Sequence, residues 1–373
     1  MGAAINSDTK TQTQNTKQAP KHTQDKHKNM QKHTNKTNTN TQTHTQTHKH
    51  INTHKHKTNT KQTTMNSITT VSFVILLIIA LVPYVVMEAT TAPSTTYPYL
   101  RSITPTELVR IRCSTDPNQQ VITSWIGTAY NVADQTASLP LFGLVGMNIA
   151  RCLYVNSTWQ LTSRELMLHT DPITGQKLTN WNNPLTGEVN TVMHVANTPV
   201  QQVFASAVNL TVVNKDQGVL ALDINLLYPN SLARNVTYAP YSPQALYKAG
   251  EFFKFIAPNK DISKANLKQV SELEFSWTRY SPYLPFMKMG NRPGMLFFSA
   301  QGAKVKDFNE LPAILKTEIN NRVPVYKNAP PCILNSSSES SWTYFAKYFD
   351  QYLAGAEFPI PQASDSTPCK PRN

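Results

Sequence analysis

The chain has 373 residues and a formal net charge of +13, and most of that charge belongs to its first 64 residues. That segment holds 11 Lys, no Arg and two Asp among Thr, Asn, Gln and His, whereas the rest of the chain carries only +4. This composition excludes a packed core before residue 65, because few apolar side chains are available to offset the entropy of ordering. We expect residues 1–64 to be a disordered basic tail, or else an upstream stretch that is not translated.

The tail also contains eight of the ten His residues, with closely spaced pairs at His48/His50 and His54/His56. A segment without fixed geometry binds metal weakly and unselectively, so we predict no specific metal site there. Its Lys residues favour only salt-dependent attraction to polyanions or anionic lipid. No specific nucleic-acid partner is predicted.

Residues 68–87 are almost entirely apolar, and no charged side chain occurs between Asn66 and Glu88. As a helix this segment would span about 30 Å, the thickness of a bilayer core. It therefore predicts contact with a membrane, as an anchor or during export.

The orientation of this segment follows from charge. Three basic residues closely precede the segment, Lys55, Lys57 and Lys61, and no basic residue follows it until Arg101. This asymmetry predicts a cytosolic N-terminus and a lumenal or extracellular remainder. Two interpretations stay open: a signal-anchor in a single-pass membrane protein, or a signal peptide that starts at Met65 and is cleaved to release a secreted protein. In either case residues 88–104 form a linker to the domain that follows.

Sequons and cysteines beyond the apolar segment suit an oxidising, glycosylating compartment. The Asn-x-Ser/Thr sequons are Asn156, Asn209, Asn235 and Asn335. Four cysteines allow two disulfides, and they are Cys113, Cys152, Cys332 and Cys369. We favour a Cys332–Cys369 pair, because it would anchor a Pro- and Ser-rich C-terminal tail at residues 356–373. The alternative is that some of the four are buried free thiols.

Residues 105–355 have the pattern of one β-rich domain. Two similar turns, Asp171–Gly175 and Asn183–Gly187, combine Pro with a Gly suited to the left-handed region and predict hairpin corners. A third hairpin is predicted at Lys215–Gly218, and its outgoing strand alternates apolar and polar side chains. Other strands are predicted at 120–128, 146–155, 158–169, 177–182, 188–196, 271–280 and 294–301.

About nine antiparallel strands usually close or curl. The predicted fold class is therefore mainly β (α+β), an antiparallel meander that closes into a barrel-like or strongly curled sheet. Helices predicted at 308–320 and 340–353 should cover an open end or face. Apolar side chains recur at helical spacing in the second helix, which favours a role in the core; these are Trp342, Phe345, Phe349 and Leu353.

Short motifs occur in order along the domain: Trp125–Tyr130, Leu141–Arg151, Ser163–Glu165, Asp171–Gly175, Trp181–Gly187, His194–Val200, Trp277–Arg279, Leu284–Met287, Met289–Gly294, Glu310–Pro312 and Ser341–Phe345. Together these motifs resemble one uncharacterised family, the domain of unknown function numbered 1838, over roughly residues 105–355. The resemblance implies no assigned reaction, although bacterial members often look exported. Thr198 stands where the family pattern has an acidic residue, and the four cysteines look like additions to that pattern.

No phosphate-binding loop, nucleophile elbow, zinc-protease or EF-hand motif occurs in the domain, and no other motif in it indicates a cofactor. We therefore look for charged side chains that strand alternation places on an apolar face, where burial requires a partner or a ligand. Arg279 shares its strand face with Trp277, and Glu165 shares its face with Leu161. Arg164 falls on the face opposite Glu165.

Four further residues complete the candidate site. His194 lies near a strand end, where an imidazole can exchange a proton near neutral pH. Trp181 and Trp277 offer aromatic surface for a ligand. Arg292 lies in a turn-rich loop, where its guanidinium suits either binding of a ligand carboxylate or capping of a strand end. For each charged residue alone, a structural hydrogen bond or ion pair is the alternative.

These residues favour a pocket for a small organic ligand, with cofactor-independent acid/base catalysis by His194 or Glu165 beside Arg279 or Arg164. Two other functions stay open: a non-catalytic carrier of a hydrophobic ligand, and an extracellular interaction module whose charged residues are structural. The sequence does not predict an oligomeric state.

Overall fold

The computed structural model describes residues 96–362 and 367–370. The predicted basic tail and the apolar segment at 68–87 lie outside these residues. Within the described part of the chain, no helix has the length and apolar composition to cross a membrane.

The described residues form twelve strands and five short α-helices. The strands are β1 (Tyr99–Ile103), β2 (Val121–Val132), β3 (Leu139–Val155), β4 (Thr158–Thr170), β5 (Asn180–Asn182), β6 (Val189–Thr191), β7 (Val195–Phe204), β8 (Val208–Val212), β9 (Gln217–Pro229), β10 (Leu246–Pro258), β11 (Glu274–Ser281) and β12 (Met295–Val305). The helices are α1 (Pro105–Arg112), α2 (Asn259–Ile262), α3 (Ala313–Asn321), α4 (Ser341–Lys347) and α5 (Phe349–Leu353).

Ten strands form one antiparallel sheet that curls into a half-barrel, which confirms the predicted fold class. Their spatial order is β1, β8, β9, β10, β11, β12, β2, β3, β4, β7. The chain thus builds two meanders, β2 to β7 and β8 to β12, and pairs the end of the second with the start of the first. This closing pair runs from Met295 opposite Val132 to Val305 opposite Ile122.

A short link requires the curl of the sheet. β7 lies at one edge and β8 lies next to the other edge, yet only residues 205–207 separate them in sequence. Even a fully extended link keeps the Cα atoms of Phe204 and Val208 within about 14 Å. The two margins of the sheet must therefore approach each other at this end.

The curled sheet has an inner face that is filled at both ends. At one end α1 contacts β4 and β7, and Arg112 lies 4.4 Å from the centre of the Phe255 ring. At the other end, Trp181 of β5 and Phe286 pack around Phe142. The middle of the inner face lies between these two plugs.

The predicted hairpin turns are confirmed in detail. The amides of Gly175 and Gly187 donate to the carbonyls of Asp171 and Asn183, at 2.9 and 2.8 Å, and both glycines have positive φ, at 69° and 76°. The continuous meander predicted across them is wrong, because β5 and β6 form a separate two-stranded sheet. This arrangement lets Trp181 bury its ring at the end of the half-barrel instead of extending the main sheet.

β10 is a strand that the sequence analysis missed. Its run of Phe252, Phe253, Lys254 and Phe255 does not alternate cleanly between apolar and polar residues. Both of its neighbours, β9 and β11, nevertheless pair with it over most of its length. The predicted helices are confirmed with breaks: a 3-10 turn at Phe308–Glu310 precedes α3, and Tyr348 separates α4 from α5.

The fold extends past the predicted domain boundaries at both ends. β1 lies in the predicted linker and pairs with β8. At the other end a disulfide joins Cys332 to Cys369, with Cα atoms 5.7 Å apart, as predicted. Leu334 also forms an isolated bridge with Cys369, so the C-terminal tail is held beside residues 333–335.

The second predicted disulfide is not formed. Cys113 and Cys152 are buried free thiols that hydrogen-bond to each other between the end of α1 and β3. The alternative of buried thiols therefore describes this pair. Burial raises the pKa of the Cys152 thiol far above its ordinary value, which makes it a poor nucleophile.

Candidate functional site

Charged residues converge on the middle of the inner face from opposite sides of the half-barrel. Residues paired directly across antiparallel strands project to the same face. Such pairs join Glu165 to Asn148 and Asn197, and join Arg279 to Glu251. The same face continues between these groups through Thr123, Ala129 and Phe298.

Arg279 is held by groups on β10. Its Nη1 atom lies 3.2 Å from Oε1 of Glu251, and its Nη2 atom donates to the hydroxyl of Tyr247. Burial alone would lower the pKa of Arg279, but Tyr247 and Glu251 reverse this effect and raise the pKa above its ordinary value. The guanidinium is therefore a fixed positive charge with an ordered geometry.

Glu165 is a mostly buried carboxyl with an altered pKa. Its Oε1 atom accepts a hydrogen bond from Nδ2 of Asn197 at 3.2 Å. Burial and the negative charge of Glu251 raise its pKa to about 7, against the opposing effects of Arg279 and Asn197. A carboxyl with this pKa exchanges protons near neutral pH, as a general acid or base must.

A β-bulge sets the position of Glu165. Along β4 the partner changes from Val200 at Ser163 to Asn197 at Glu165, so β7 has one extra residue at this point. Pro199 is tolerated there because a bulge does not require every backbone N–H. Bulges frequently re-aim side chains beside functional sites, and this one aims Asn197 at the Glu165 carboxyl.

Helix α4 closes the site from the open side of the half-barrel. The ring of Trp342 lies 4.5 Å from that of Tyr247, and the hydroxyls of Tyr228 and Ser340 are 3.3 Å apart. Burial raises the pKa of Tyr228 to about 12. Both tyrosines therefore remain protonated at neutral pH and can donate hydrogen bonds.

The inner face stays partly open to solvent beside Glu251. The side chain of Glu251 is 19% exposed, and Leu222 and Phe253 on the same face are only half-buried. Ile224, directly opposite Glu251, is 37% exposed. The β9–β10 side is therefore the part of this face where these side chains are least covered.

His194 does not belong to this cluster, which corrects its predicted place at a pocket mouth. It is fully buried, its Nδ1 atom accepts the amide of His169 at 3.0 Å, and the two imidazoles stack 5.6 Å apart. His169 lies four residues from Glu165 along β4, about 13 Å in a strand. Burial and the neighbouring His169 hold the pKa of His194 well below its ordinary value, so His194 is a neutral core residue.

Arg164 is also placed away from the site. It lies on the face opposite Glu165 and donates to the carbonyls of Val325 and Asn328 and to Oγ1 of Thr198. These contacts fasten the C-terminal region to the outer face of β4.

Of the three other predicted ligand-binding residues, Trp277 lies at the inner-face cluster, whereas Trp181 and Arg292 lie elsewhere. Trp277 lies on the inner face beside Arg279, with its ring 5.8 Å from that of Phe298. Trp181 is a core residue of the plugged end. Arg292 is exposed in the loop before β12 and does not face the interior.

Sequence reasoning missed Glu251, Tyr247 and Asn197. The first two lie on β10, and their spacing with Phe253 is the alternation that would have revealed them once β10 was recognised as a strand. Asn197 carries no such signal, because the bulge that aims its side chain at Glu165 is not visible in the residue pattern.

The fold and the site together define a β-rich protein whose half-barrel encloses a polar cluster of Glu165, Glu251, Arg279 and Tyr247. A family model described as protein of unknown function (DUF1838) matches residues 118–349. The chain belongs to this family, which confirms the predicted resemblance. A comparison with curated proteins gave no match.

Proposed function

We propose that the inner face of the half-barrel binds a small organic molecule and exchanges a proton with it through Glu165. The observation that carries this proposal is a carboxyl with a pKa of about 7 that lies within electrostatic range of the buried Arg279. Perturbed carboxyls beside a fixed cation are common in active sites, although structural ion-pair networks also produce them.

The reaction class that this arrangement supports is proton abstraction next to a carbonyl group. Ionised Glu165 takes the proton of an acidic C–H bond, and the electron pair of that bond moves to the carbonyl oxygen. Arg279 and the hydroxyl of Tyr247 donate hydrogen bonds to the resulting oxyanion. Glu165 then returns the proton to the same or a conjugated carbon, so no oxidant, reductant or cofactor is consumed.

Hydrogen–deuterium exchange would test this function directly. A panel of ketones, β-dicarbonyl compounds and enones is incubated with protein in D₂O, and deuterium incorporation is followed by NMR. We expect the protein to accelerate exchange at one acidic position, and we expect E165Q to lose that acceleration. R292A is the matched control, because it removes an exposed arginine outside the cluster and should leave exchange unchanged.

Two outcomes would contradict the proposal. If the protein binds panel compounds but never accelerates their exchange, the inner face belongs to a carrier. If no panel compound changes the melting temperature or the exchange rate, the extracellular interaction module becomes the better explanation.

We also propose that the protein is a membrane-anchored or secreted product of the secretory pathway. The Cys332–Cys369 disulfide suits an oxidising compartment, and the asparagines of all four sequons are exposed. Expression in a secreting eukaryotic cell should give a product whose mass falls on treatment with an N-glycosidase. N-terminal sequencing of that product distinguishes cleavage near residue 90 from an intact anchor, and an unglycosylated product retained in the cytosol would reject this location.

A further inference from the structure

The inner face contains several buried hydrogen-bond donors that have no acceptor among the described residues. These are the indole N–H groups of Trp125, Trp277 and Trp342 and the Nε–H of Arg279. Each of these side chains is more than nine-tenths buried. An unpaired buried polar group costs about 1–3 kcal/mol, so four in one region require an explanation.

These donors lie on the same inner face of the half-barrel. Trp277 and Arg279 are two residues apart on the same face of β11. Across β12, Gly302 pairs with both Trp125 and Phe275, which puts Trp125 on that face as well, and its ring lies 6.3 Å from that of Phe275. Trp342 reaches the same region from α4 through its contact with Tyr247.

The floor between the indoles is built from small residues. Directly across from Trp277 are Ala300 and then Gly127, neither of which projects beyond a methyl group. The Trp125 ring lies over Gly146, where even a Cβ atom would come within 2.2 Å of it. Aromatic rings and small side chains therefore lie next to each other on this face, and an aromatic surface suits a planar molecule.

Donors outnumber acceptors at this site. Among the unpartnered buried side-chain atoms of the described residues, Oδ1 of Asn197 is the acceptor on the residue that contacts Glu165. The negative charge of Glu251 is already paired with Arg279. The complementary ligand must therefore supply acceptor oxygens rather than donors.

We propose that the ligand of this site is a planar, conjugated oxyanion, such as an aryl carboxylate or an enolate, whose oxygens accept hydrogen bonds from Arg279 and the indole N–H groups of Trp125, Trp277 and Trp342. This inference rests on the proposed function, because an enolate is the species that proton abstraction by Glu165 creates. It adds the class of molecule and names the three tryptophans as binding residues.

Three probes of nearly identical shape test this inference: benzoate, benzamide and benzamidinium. Binding to the full chain is measured by following the indole N–H signals in ¹H–¹⁵N spectra, assigned with single Trp→Phe variants. We expect benzoate to bind at least about tenfold more tightly than benzamidinium, about 1.4 kcal/mol. Benzoate should shift the signals of Trp125, Trp277 and Trp342.

An internal control is available in the same spectra. The indole N–H of Trp159 already donates to Oγ1 of Thr106 at 3.1 Å, so its signal should stay in place, and W159F should leave benzoate affinity unchanged. W277F keeps an aromatic ring but removes the indole N–H donor, and it should weaken the binding of benzoate several-fold. R279K keeps the positive charge but lacks the guanidinium, so it tests whether the geometry of that group matters for binding. It is the variant to use if other replacements of Arg279 unfold the protein.

The pH dependence gives a second readout. Ionised Glu165 adds a negative charge beside the site, so benzoate affinity should fall as the pH rises above about 7, by up to about tenfold for each unit. E165Q should bind benzoate with no such dependence.

The failure of this inference is distinguishable from failure of the proposed function. Equal or tighter binding of benzamidinium, or benzoate binding that moves none of the three indole signals, overturns the ligand class while Glu165-dependent deuterium exchange still upholds proton transfer. Loss of exchange activity with intact benzoate binding overturns the catalytic proposal and leaves the oxyanion site in place.

Discussion

At the scale of single residues, the groups that surround each buried side chain decide which of the predicted site residues belong to the inner-face cluster. Glu165 and Arg279 are brought together because strand alternation points both at the inner face, and that part of the site was visible in the sequence. Alternation placed Arg164 on the face opposite Glu165 without showing which face is the inner one, and it gave no reason to separate His194 from the site. Their roles depend on the groups that cover them, an imidazole of His169 in one case and backbone carbonyls in the other.

Glu165 should make the stability of the protein depend on pH. Its pKa in the folded state is raised from 4.5 to about 7, so the folded state binds this proton more tightly than the unfolded state does. The corresponding stabilisation is present below about pH 4.5 and is lost as the pH rises through about 7, by up to about 3 kcal/mol.

The comparison with E165Q isolates this effect, because other titrating groups are shared. In urea unfolding between about pH 5 and pH 8, the free energy of unfolding of the natural protein should fall relative to that of the variant. Parallel curves for the two proteins would show that Glu165 titrates normally.

Gly146 should be intolerant of a side chain, because a Cβ atom there would lie 2.2 Å from Cε2 of Trp125. We expect G146A to destabilise the protein by about 1–3 kcal/mol through displacement of that indole. Denaturation of G146A in a W125L background completes a double-mutant cycle. The cost should shrink there, and an unchanged cost would place the strain elsewhere.

At the scale of elements, α4 brings Trp342 to the site, and its N-terminus is held by a capping box. Oγ of Ser340 accepts the amide of Thr343 at 3.3 Å, and Oγ1 of Thr343 accepts the amide of Ser340 at 2.8 Å. The same pairing occurs between Thr104 and Glu107 at the start of α1. These caps fix the two helices that border the inner face.

Removal of the α4 cap should loosen the cover of the site. S340A is expected to lower the free energy of unfolding by about 1 kcal/mol, with increased exposure of Trp342 to acrylamide quenching. T104A, which removes the other cap, should give a similar energetic cost without that change in Trp342. Equal quenching in both variants would mean that α4 does not depend on Ser340.

At the scale of the whole molecule, the disulfide joins the C-terminal tail to the chain before α4. The bridge joins residues separated by 37 positions in the sequence. Because it lowers the conformational entropy of the unfolded chain, a bridge across a loop of this length stabilises the folded state by about 3–4 kcal/mol. The double variant C332A/C369A should lose this amount in chemical denaturation.

A reducing agent provides the matched control for that variant. Reduced natural protein should unfold at the same denaturant concentration as C332A/C369A, since Cys113 and Cys152 are already free thiols. A larger effect of reduction on the natural protein would reveal that the second pair is oxidised in solution.

The sequence by itself determined the strand-rich class, the hairpin corners at Gly175 and Gly187 and the family, and it favoured the Cys332–Cys369 pair that the structure forms. These depend on short-range chemistry: alternation, left-handed glycines and the pattern of motifs. Only the tertiary structure decided that Glu251, Tyr247 and Asn197 join Glu165 and Arg279. Those residues come from separate strands, and the curl of the sheet and a one-residue bulge bring them together. The number of strands predicted a curled sheet, but the sequence did not show which side chains the curl brings together. The bulge has no local signature, because it arises from pairing between distant segments.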